Sequence, residues 1–315
     1  MRLFKRISSV VLAAGLFAGL ASGVSAQELK TREDFSNRYN LLVSRVGADG
    51  VGVETLLNRW EAAFPDDSEM CMARFSFFYA KSKSLTTITR STNKYLGREP
   101  VVALKDSLGN PVNYFEDYVY DDELFGQATG YVDKAITVGP NRLELRFLKS
   151  AALLEYEKES PDMTLSFLKG LVDYNAQAKP KWTYPDYDTV TNDDFYSFVQ
   201  DYCLLFYQLG TPAGWEAFKS LSEKVLQYDP KNTLFMTNLG SYYFAHKKDN
   251  KTALKYYNKV IKLQPDSYAA IRNCVLLART EKNKKLEKKY LPMLIKYTDN
   301  ETEKLQAQTR LEALK

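Results

Sequence analysis

Few side chains of this protein are suited to catalysis or metal binding. The 315 residues include one histidine, His246, and three cysteines, Cys71, Cys203 and Cys274. A nucleophile activated as in Ser/His or Cys/His pairs needs a histidine, and His246 stands beside two lysines at the polar end of a predicted helix. The cysteines are 132 and 71 residues apart, with no histidine cluster to complete a zinc site. The sequence therefore predicts no cofactor, no metal and no enzyme.

The N-terminal segment has the composition of a secretory signal peptide. Three basic residues among the first six precede an apolar run over 7–20, and Val24-Ser25-Ala26 forms a cleavage site of the A-x-A kind. The run is shorter than the about 20 residues that span a bilayer, and Gln27 stands where a lipid anchor would need cysteine. We expect cleavage after residue 26 and export to the periplasm or exterior of a Gram-negative bacterium.

The cysteines and the densest acidic cluster have structural explanations in an exported chain. Each cysteine stands among apolar residues, and an odd number leaves at least one thiol free, so we expect all three to be buried and unpaired. The cluster at 121–123 begins a predicted helix, where acidic residues cap the backbone. A pair of carboxylates from distant segments would still suit a hydrolase, which is the third alternative for function.

The charge of the mature chain is close to zero. The full chain has 43 Lys+Arg and 39 Asp+Glu. Without residues 1–26 the numbers are 40 and 39, a net charge of +1. Such a small charge predicts no steering of nucleic acid or of an anionic membrane. The most basic stretch, 282–289, is interleaved with Glu281 and Glu287 and is typical of a solvated helix face. We expect no nucleic-acid partner and no membrane span in the mature chain.

A repeated unit is present in the C-terminal third. Pro230 and Pro265 stand 35 residues apart in similar loops, and two amphipathic segments, about 231–246 and 250–263, lie between them. The segments share small and aromatic residues at fixed spacings: Met236-x-x-Leu239-Gly240-x-x-Tyr243 in the first, and Ala253-x-x-x-Tyr257-x-x-Val260 in the second. Small residues let two helices cross closely, and the tyrosines fill the space beside the crossing.

This unit resembles the tetratricopeptide repeat (TPR), a helix–turn–helix family. Met236 replaces the family's usual tryptophan, and the unit is one residue longer than the usual 34. The pattern returns one period later, where four residues fall in step with Met236, Leu239, Gly240 and Tyr243: Ile271, Cys274, Val275 and Ala278. The resemblance implies a right-handed superhelix of stacked helix pairs without catalytic activity.

The same alternation of helices and proline-containing loops continues towards the N-terminus. We predict an all-α, TPR-like superhelix of about six helix pairs and a capping helix, with an inserted β-hairpin at about 101–120. The predicted helices cover 34–46, 51–63, 68–83, 121–137, 142–157, 162–178, 194–209, 213–228, 231–246, 250–263, 284–297 and 301–314. A further helical segment is the second occurrence of the repeat pattern, near 271–278. The predicted divisions are 1–26, 27–140 with the hairpin, and 141–315.

The implied function is that of an envelope scaffold or adaptor that binds a protein or peptide on its concave face. Asn238 and Asn273 are 35 residues apart, so they are expected to project alike from successive repeats. Their amides could pair with a peptide backbone, flanked by Tyr242 for stacking and Arg272 for anionic groups. Alternatively, these amides bridge adjacent helices.

A second candidate surface is an aromatic loop. Trp182, Tyr184 and Tyr187 could stack on sugar rings, which makes a glycan-binding module the second functional alternative. The competing interpretation is a loop held by its own aromatic side chains against neighbouring helices. The hairpin edge could also accept a partner strand or only brace the helices.

Overall fold

The computed structural model describes residues 29–314, so the predicted signal peptide lies outside the described residues. Within that range the chain forms thirteen α-helices, one π-helical turn and three β-strands. In the first half these are α1 (Arg32–Val46), α2 (Val53–Ala63), α3 (Ser68–Lys81), β1 (Lys83–Arg90), β2 (Val102–Lys105), β3 (Pro111–Tyr120), α4 (Asp122–Val138), α5 (Leu143–Glu157) and α6 (Asp162–Ala178). The second half has α7 (Asn192–Leu209), α8 (Pro212–Tyr228), α9 (Thr233–Ser241), the π-turn (Tyr242–Lys247), α10 (Asn250–Leu263), α11 (Tyr268–Thr280), α12 (Lys284–Tyr297) and α13 (Glu301–Glu312).

The thirteen helices follow one another as six successive pairs and a final helix, as predicted. They belong to two compact units, one formed by residues 29–158 with 179–191, the other by 159–178 with 192–314. The division that the sequence suggested after residue 140 falls inside the first unit, between α4 and α5. None of the helices within 29–314 combines the length and the apolar character needed to cross a membrane.

The first unit begins with three helices on one aromatic core, and side chains cap the first and third of them. Thr31 caps α1 in a capping box with Asp34. Asp67 caps α3 and also accepts a hydrogen bond from the Trp60 indole N–H at 3.0 Å. Trp60 is buried and stacks on Phe35 of α1 with ring centroids 6.0 Å apart. One carboxylate therefore fixes both the start of α3 and the centre of this core.

The insert lies in the connection between α3 and α4, which pack against each other. Its two ends meet where Lys83 pairs with Tyr120 and where the Asp121 N–H donates to the Ser82 carbonyl at 2.9 Å. The predicted hairpin is present as β2 and β3, and a third strand, β1, makes an antiparallel sheet of order β1-β3-β2. The prediction of helix up to Lys83 was wrong for its last residues, because that lysine is already paired with β3.

The second unit contains the repeats that the sequence predicts. In the pair α9/α10, a Cβ placed on Gly240 would stand 2.4 Å from ring carbon Cε1 of Tyr257, so only glycine permits this crossing. Ala253 and Tyr257 of α10 are fully buried in one core with Ile271 and Cys274 of α11. The packing of small and aromatic residues is TPR-like, as the resemblance implied.

The extra length of the Pro230–Pro265 unit coincides with the π-turn. The caps Asn232 and Ser267 are 35 residues apart, whereas Ser267 and Asn300 are 33 apart. Only the first of these intervals contains a π-helical turn. A π-turn accommodates inserted residues without breaking the helix, so the second helix keeps its place on the core.

Candidate functional site

The amide of Asn238 lies inside the second unit and bridges three helices. Its Nδ2 donates to Gln200 Oε1 of α7 at 2.6 Å and to Ser222 Oγ of α8 at 3.2 Å. Gln200 Nε2 donates back to Asn238 Oδ1 at 3.0 Å. Asn238 is 6% exposed. This is the bridging arrangement that the sequence left open, and partner binding by Asn238 stays a prediction.

Asn273 and Arg272 make the corresponding contacts one repeat later. Asn273 Nδ2 donates to Ser241 Oγ of α9 at 3.4 Å, so it also reaches the first helix of the preceding pair. Arg272 Nε donates to Glu303 Oε1 of α13 at 3.0 Å. The Arg272 side chain is 47% exposed and keeps contact with solvent. Asn273 therefore contacts the preceding helix pair, whereas the adjacent residue Arg272 contacts the final helix.

Tyr242 is part of a cluster at the π-turn rather than of an open surface. It is 1% exposed, and its hydroxyl donates to Glu216 Oε1 of α8 at 2.5 Å. Lys247 donates to the same oxygen at 3.0 Å. His246 stacks on Trp215 with ring centroids 5.3 Å apart. Burial raises the pKa of Tyr242, and the Glu216 carboxylate raises it further, so the phenol stays neutral and donates. These contacts hold the π-turn against α8.

The aromatic loop packs onto its own unit. Trp182 and Tyr184 are 6% and 8% exposed, and the Arg146 guanidinium lies 4.9 Å from the Trp182 ring centroid. The backbone N–H of Thr183 donates to the Asn141 carbonyl at 2.9 Å. Tyr187 contacts Tyr184 edge to face at 5.7 Å. Because a sugar stacks on an accessible ring face, this geometry fits the interpretation of a loop held by its own aromatic residues.

The three cysteines are buried and free, as predicted. Burial raises the pKa of Cys203 and of Cys274 to about 12. Burial also raises the pKa of Cys71. The reactive thiolate is therefore scarce at neutral pH. Within residues 29–314 no group of three or more His, Cys, Asp and Glu side chains is placed to hold a metal ion.

A cleft of about 420 Å³ opens in the second unit among α8, α9 and α10. Its volume lies in the range of small-ligand sites. Apolar side chains and three polar ones line it: Leu226, Pro230, Met236, Leu239 and Tyr256, with Glu223, Gln227 and Lys259. Met236 and Leu239 are 8% and 2% exposed and form its floor. The second helices of successive pairs, α8 and α10, form its walls.

One residue of the sequence is a signal for this cleft. Met236 occupies the position where the repeat pattern has tryptophan. Methionine fills less volume than an indole, and its flexible thioether adapts to an irregular neighbour. Tyr256 lies across the cleft from α9 and stacks on Tyr243, with centroids 5.8 Å apart and planes 10° from parallel. The cleft thus lies where a smaller residue replaces the usual one beside a fixed aromatic wall.

The architecture and the cleft define a class: an all-α helical-repeat protein with TPR-like helix pairs and a small surface cleft lined by both apolar and polar side chains. No family model matches the chain, and no curated protein sequence matches it. Among solved structures it is similar to the crystal structure of YrrB, described as a TPR protein with an unusual peptide-binding site. That match has 16% sequence identity and a TM-score of 0.34, and covers 78% of this chain and 92% of the YrrB chain.

Proposed function

We propose that the protein is a non-catalytic interaction scaffold that binds a partner polypeptide through the α8–α10 cleft. The observation that carries the proposal is an open cleft with an apolar floor, Met236 and Leu239, and a mixed polar rim. Such a site accepts one apolar side chain as an anchor and excludes water from it. We expect the anchor to be of the size of leucine or phenylalanine.

The rim supplies orientation. Glu223 of α8 and Lys259 of α10 both line the cleft, and both residues are exposed. Glu223 pairs with Lys219 of its own helix at 3.6 Å. A partner with an acidic residue on one side of its anchor and a basic residue on the other would find both charges matched. A polypeptide offers this combination more readily than a glycan does.

The test is a binding measurement on a peptide selected from a displayed library against the mature chain. Met236→Trp fills the floor of the cleft and is expected to lower the affinity for that peptide by about tenfold or more. Leu234→Trp is the matched control, because Leu234 lies on the same helix, is 41% exposed and does not line the cleft. Titration calorimetry with both variants decides the matter. Equal affinity for both would show that the peptide binds elsewhere.

We also propose that the protein acts in the cell envelope after export, which the composition of residues 1–26 supports. The expected result is a mature chain that begins at Gln27 when the full-length protein is produced in a Gram-negative host. N-terminal sequencing of the protein from the periplasm and the medium measures this. Retention of Met1 in a cytoplasmic fraction would contradict it.

A further inference from the structure

Two neighbouring helices of the second unit carry a dense lysine face. Helix α10 contains four lysines and no acidic residue, and α12 contains five lysines and one acidic residue, Glu287. All nine lysines are exposed. They are Lys251, Lys255, Lys259 and Lys262 of α10, and Lys284, Lys285, Lys288, Lys289 and Lys296 of α12.

The lysines of both helices point away from one shared core. On α10 they recur at spacings of four, four and three residues, which places them in one stripe. The opposite side of each helix packs in the same apolar cluster, through Tyr257 and Val260 of α10 and Leu291 and Leu294 of α12. The Tyr290 hydroxyl of α12 donates to Asn258 Oδ1 of α10 at 2.5 Å. The two lysine stripes therefore lie side by side on one surface, which we name the lysine face.

The single acidic residue of these helices does not neutralise the lysine face. Glu287 has a side chain that is 2% exposed and points inward, where Arg279 and Arg310 pair with it. The expectation of an interleaved, solvated stretch at 282–289 was therefore wrong about this glutamate. Among residues 29–314, no carboxylate lies within 4.0 Å of any of the nine lysine amino groups.

The lysine face concentrates charge in a chain that is neutral on average. Residues 249–300 contain twelve basic and five acidic residues, a net charge of +7, whereas the rest of the mature chain carries −6. Apart from Glu287, the acids of this segment stand in the connections between helices, at Asp249, Asp266, Glu281 and Asp299. A mature net charge of +1 thus conceals a strongly basic surface.

We propose that the lysine face binds the anionic headgroups of a phospholipid membrane surface, peripherally and without insertion. Each stripe is about 18 Å long at 1.5 Å per residue, and the Tyr290–Asn258 hydrogen bond joins the two helices, so the lysine face extends over both. Neither helix contains arginine, whose fork suits one fixed phosphate. Lysine instead acts as a point charge on a flexible stem and fits a diffuse layer of headgroups.

The aromatic residues near the lysines argue against nucleic acid as the occupant. Single strands bind through rings on which bases stack. Tyr290 is 1% exposed, and the amino group of Lys289 lies 4.8 Å from its ring centroid. Lys259 and Lys296 lie over Tyr256 and Tyr297 in the same way, at 5.6 Å and 4.7 Å. The lysine stems thus occupy the ring faces that bases would need.

The experiment is flotation of the mature protein with vesicles of phosphatidylcholine and with vesicles in which part of it is replaced by phosphatidylglycerol. We expect binding only to the second kind, and its loss as salt concentration rises. Lys255→Glu/Lys285→Glu/Lys288→Glu is expected to lower the partition coefficient at least about tenfold. The control Lys105→Glu/Lys181→Glu/Lys231→Glu makes the same charge change at exposed positions elsewhere and is expected to keep binding.

Each other outcome overturns the proposal. Wild-type protein that floats equally with both vesicles, or with neither, has no headgroup site on this face. An equal loss of vesicle binding in both triple variants shows that net charge alone, and not the lysine face, determines binding. Retention on duplex DNA without flotation assigns the lysine face to nucleic acid. Circular dichroism confirms that the variants are folded. Lys259 belongs to both the cleft rim and the lysine face, but the triple variant changes no residue that lines the cleft. Met236→Trp, which alters only the cleft, is expected to float as the wild type does.

Discussion

Gly240→Ala is expected to lower the free energy of unfolding of the second unit by about 2 kcal/mol, although alanine favours helix more than glycine does. The added Cβ would stand 2.4, 2.7 and 2.9 Å from three carbons of the Tyr257 ring. The ring has no room to move, since Tyr257 is completely buried and its hydroxyl donates to Ser241 Oγ at 3.3 Å. One methyl group must therefore push α9 and α10 apart.

A second glycine provides the matched control for this prediction. Gly170 lies in α6 of the same unit, and a Cβ placed there meets no atom within 4 Å. Gly170→Ala should therefore raise stability by about 0.5–1 kcal/mol through helix propensity alone. Urea denaturation followed by circular dichroism measures the free energy of unfolding of both variants. If the two substitutions shift the midpoint in the same direction, the close crossing at Gly240 does not limit this fold.

The fold was largely predictable because its signals are local. Pro230 and Pro265 stand 35 residues apart and mark helix ends, and the small residues Gly240 and Ala253 between them mark the helix crossing. Strand β1 was missed because Lys83–Arg90 has no turn signal before it and gains its order only from pairing with β3. The helix predicted over 68–83 extends two residues past the observed end at Lys81, because Lys83 already pairs with Tyr120 of β3.

The candidate sites were less predictable because side-chain partners come from distant segments. The spacing of Asn238 and Asn273 suggested equivalent positions, but Gln200 and Ser241, their partners, follow no common period. Glu287 illustrates the same limit. Its place among lysines suggested a solvated charge, whereas its helical phase turns it inward towards Arg279 and Arg310. The geometry of Glu287 shows that its carboxylate does not pair with the neighbouring lysines. The lysine face could therefore be recognised only from the structure.

Glu287→Gln is expected to cost about 2 kcal/mol of stability and to loosen the final helix, α13. Arg310 of α13 donates to both carboxylate oxygens, through Nε and Nη2 at 2.8 Å each. Arg279 of α11 donates to one of them at 3.0 Å. The glutamate thus joins three consecutive helices. Both arginines are more than 40% exposed and can turn to water when the charge is removed, which keeps the cost below that of stranding a buried ion.

The pH dependence distinguishes loss of this charge from a general packing defect. Hydrogen bonds from Arg310, assisted by Arg279, lower the pKa of Glu287 against the opposing effect of burial. A carboxyl group whose pKa is lower in the folded state stabilises the folded protein fully when the pH is above its pKa in the unfolded chain, about 4.3. That contribution is lost as the pH falls through the pKa of the folded state. The wild type should therefore lose its stability advantage over Glu287→Gln below about pH 4.3, whereas the difference in stability should stay constant from pH 6 to 8.

Glu301→Gln is the control, since that side chain is 83% exposed and should change stability by less than about 0.5 kcal/mol. Hydrogen exchange of the α13 amides, measured across this pH range, reports the loosening directly; unchanged protection in Glu287→Gln would show that α13 is held by its apolar contacts alone.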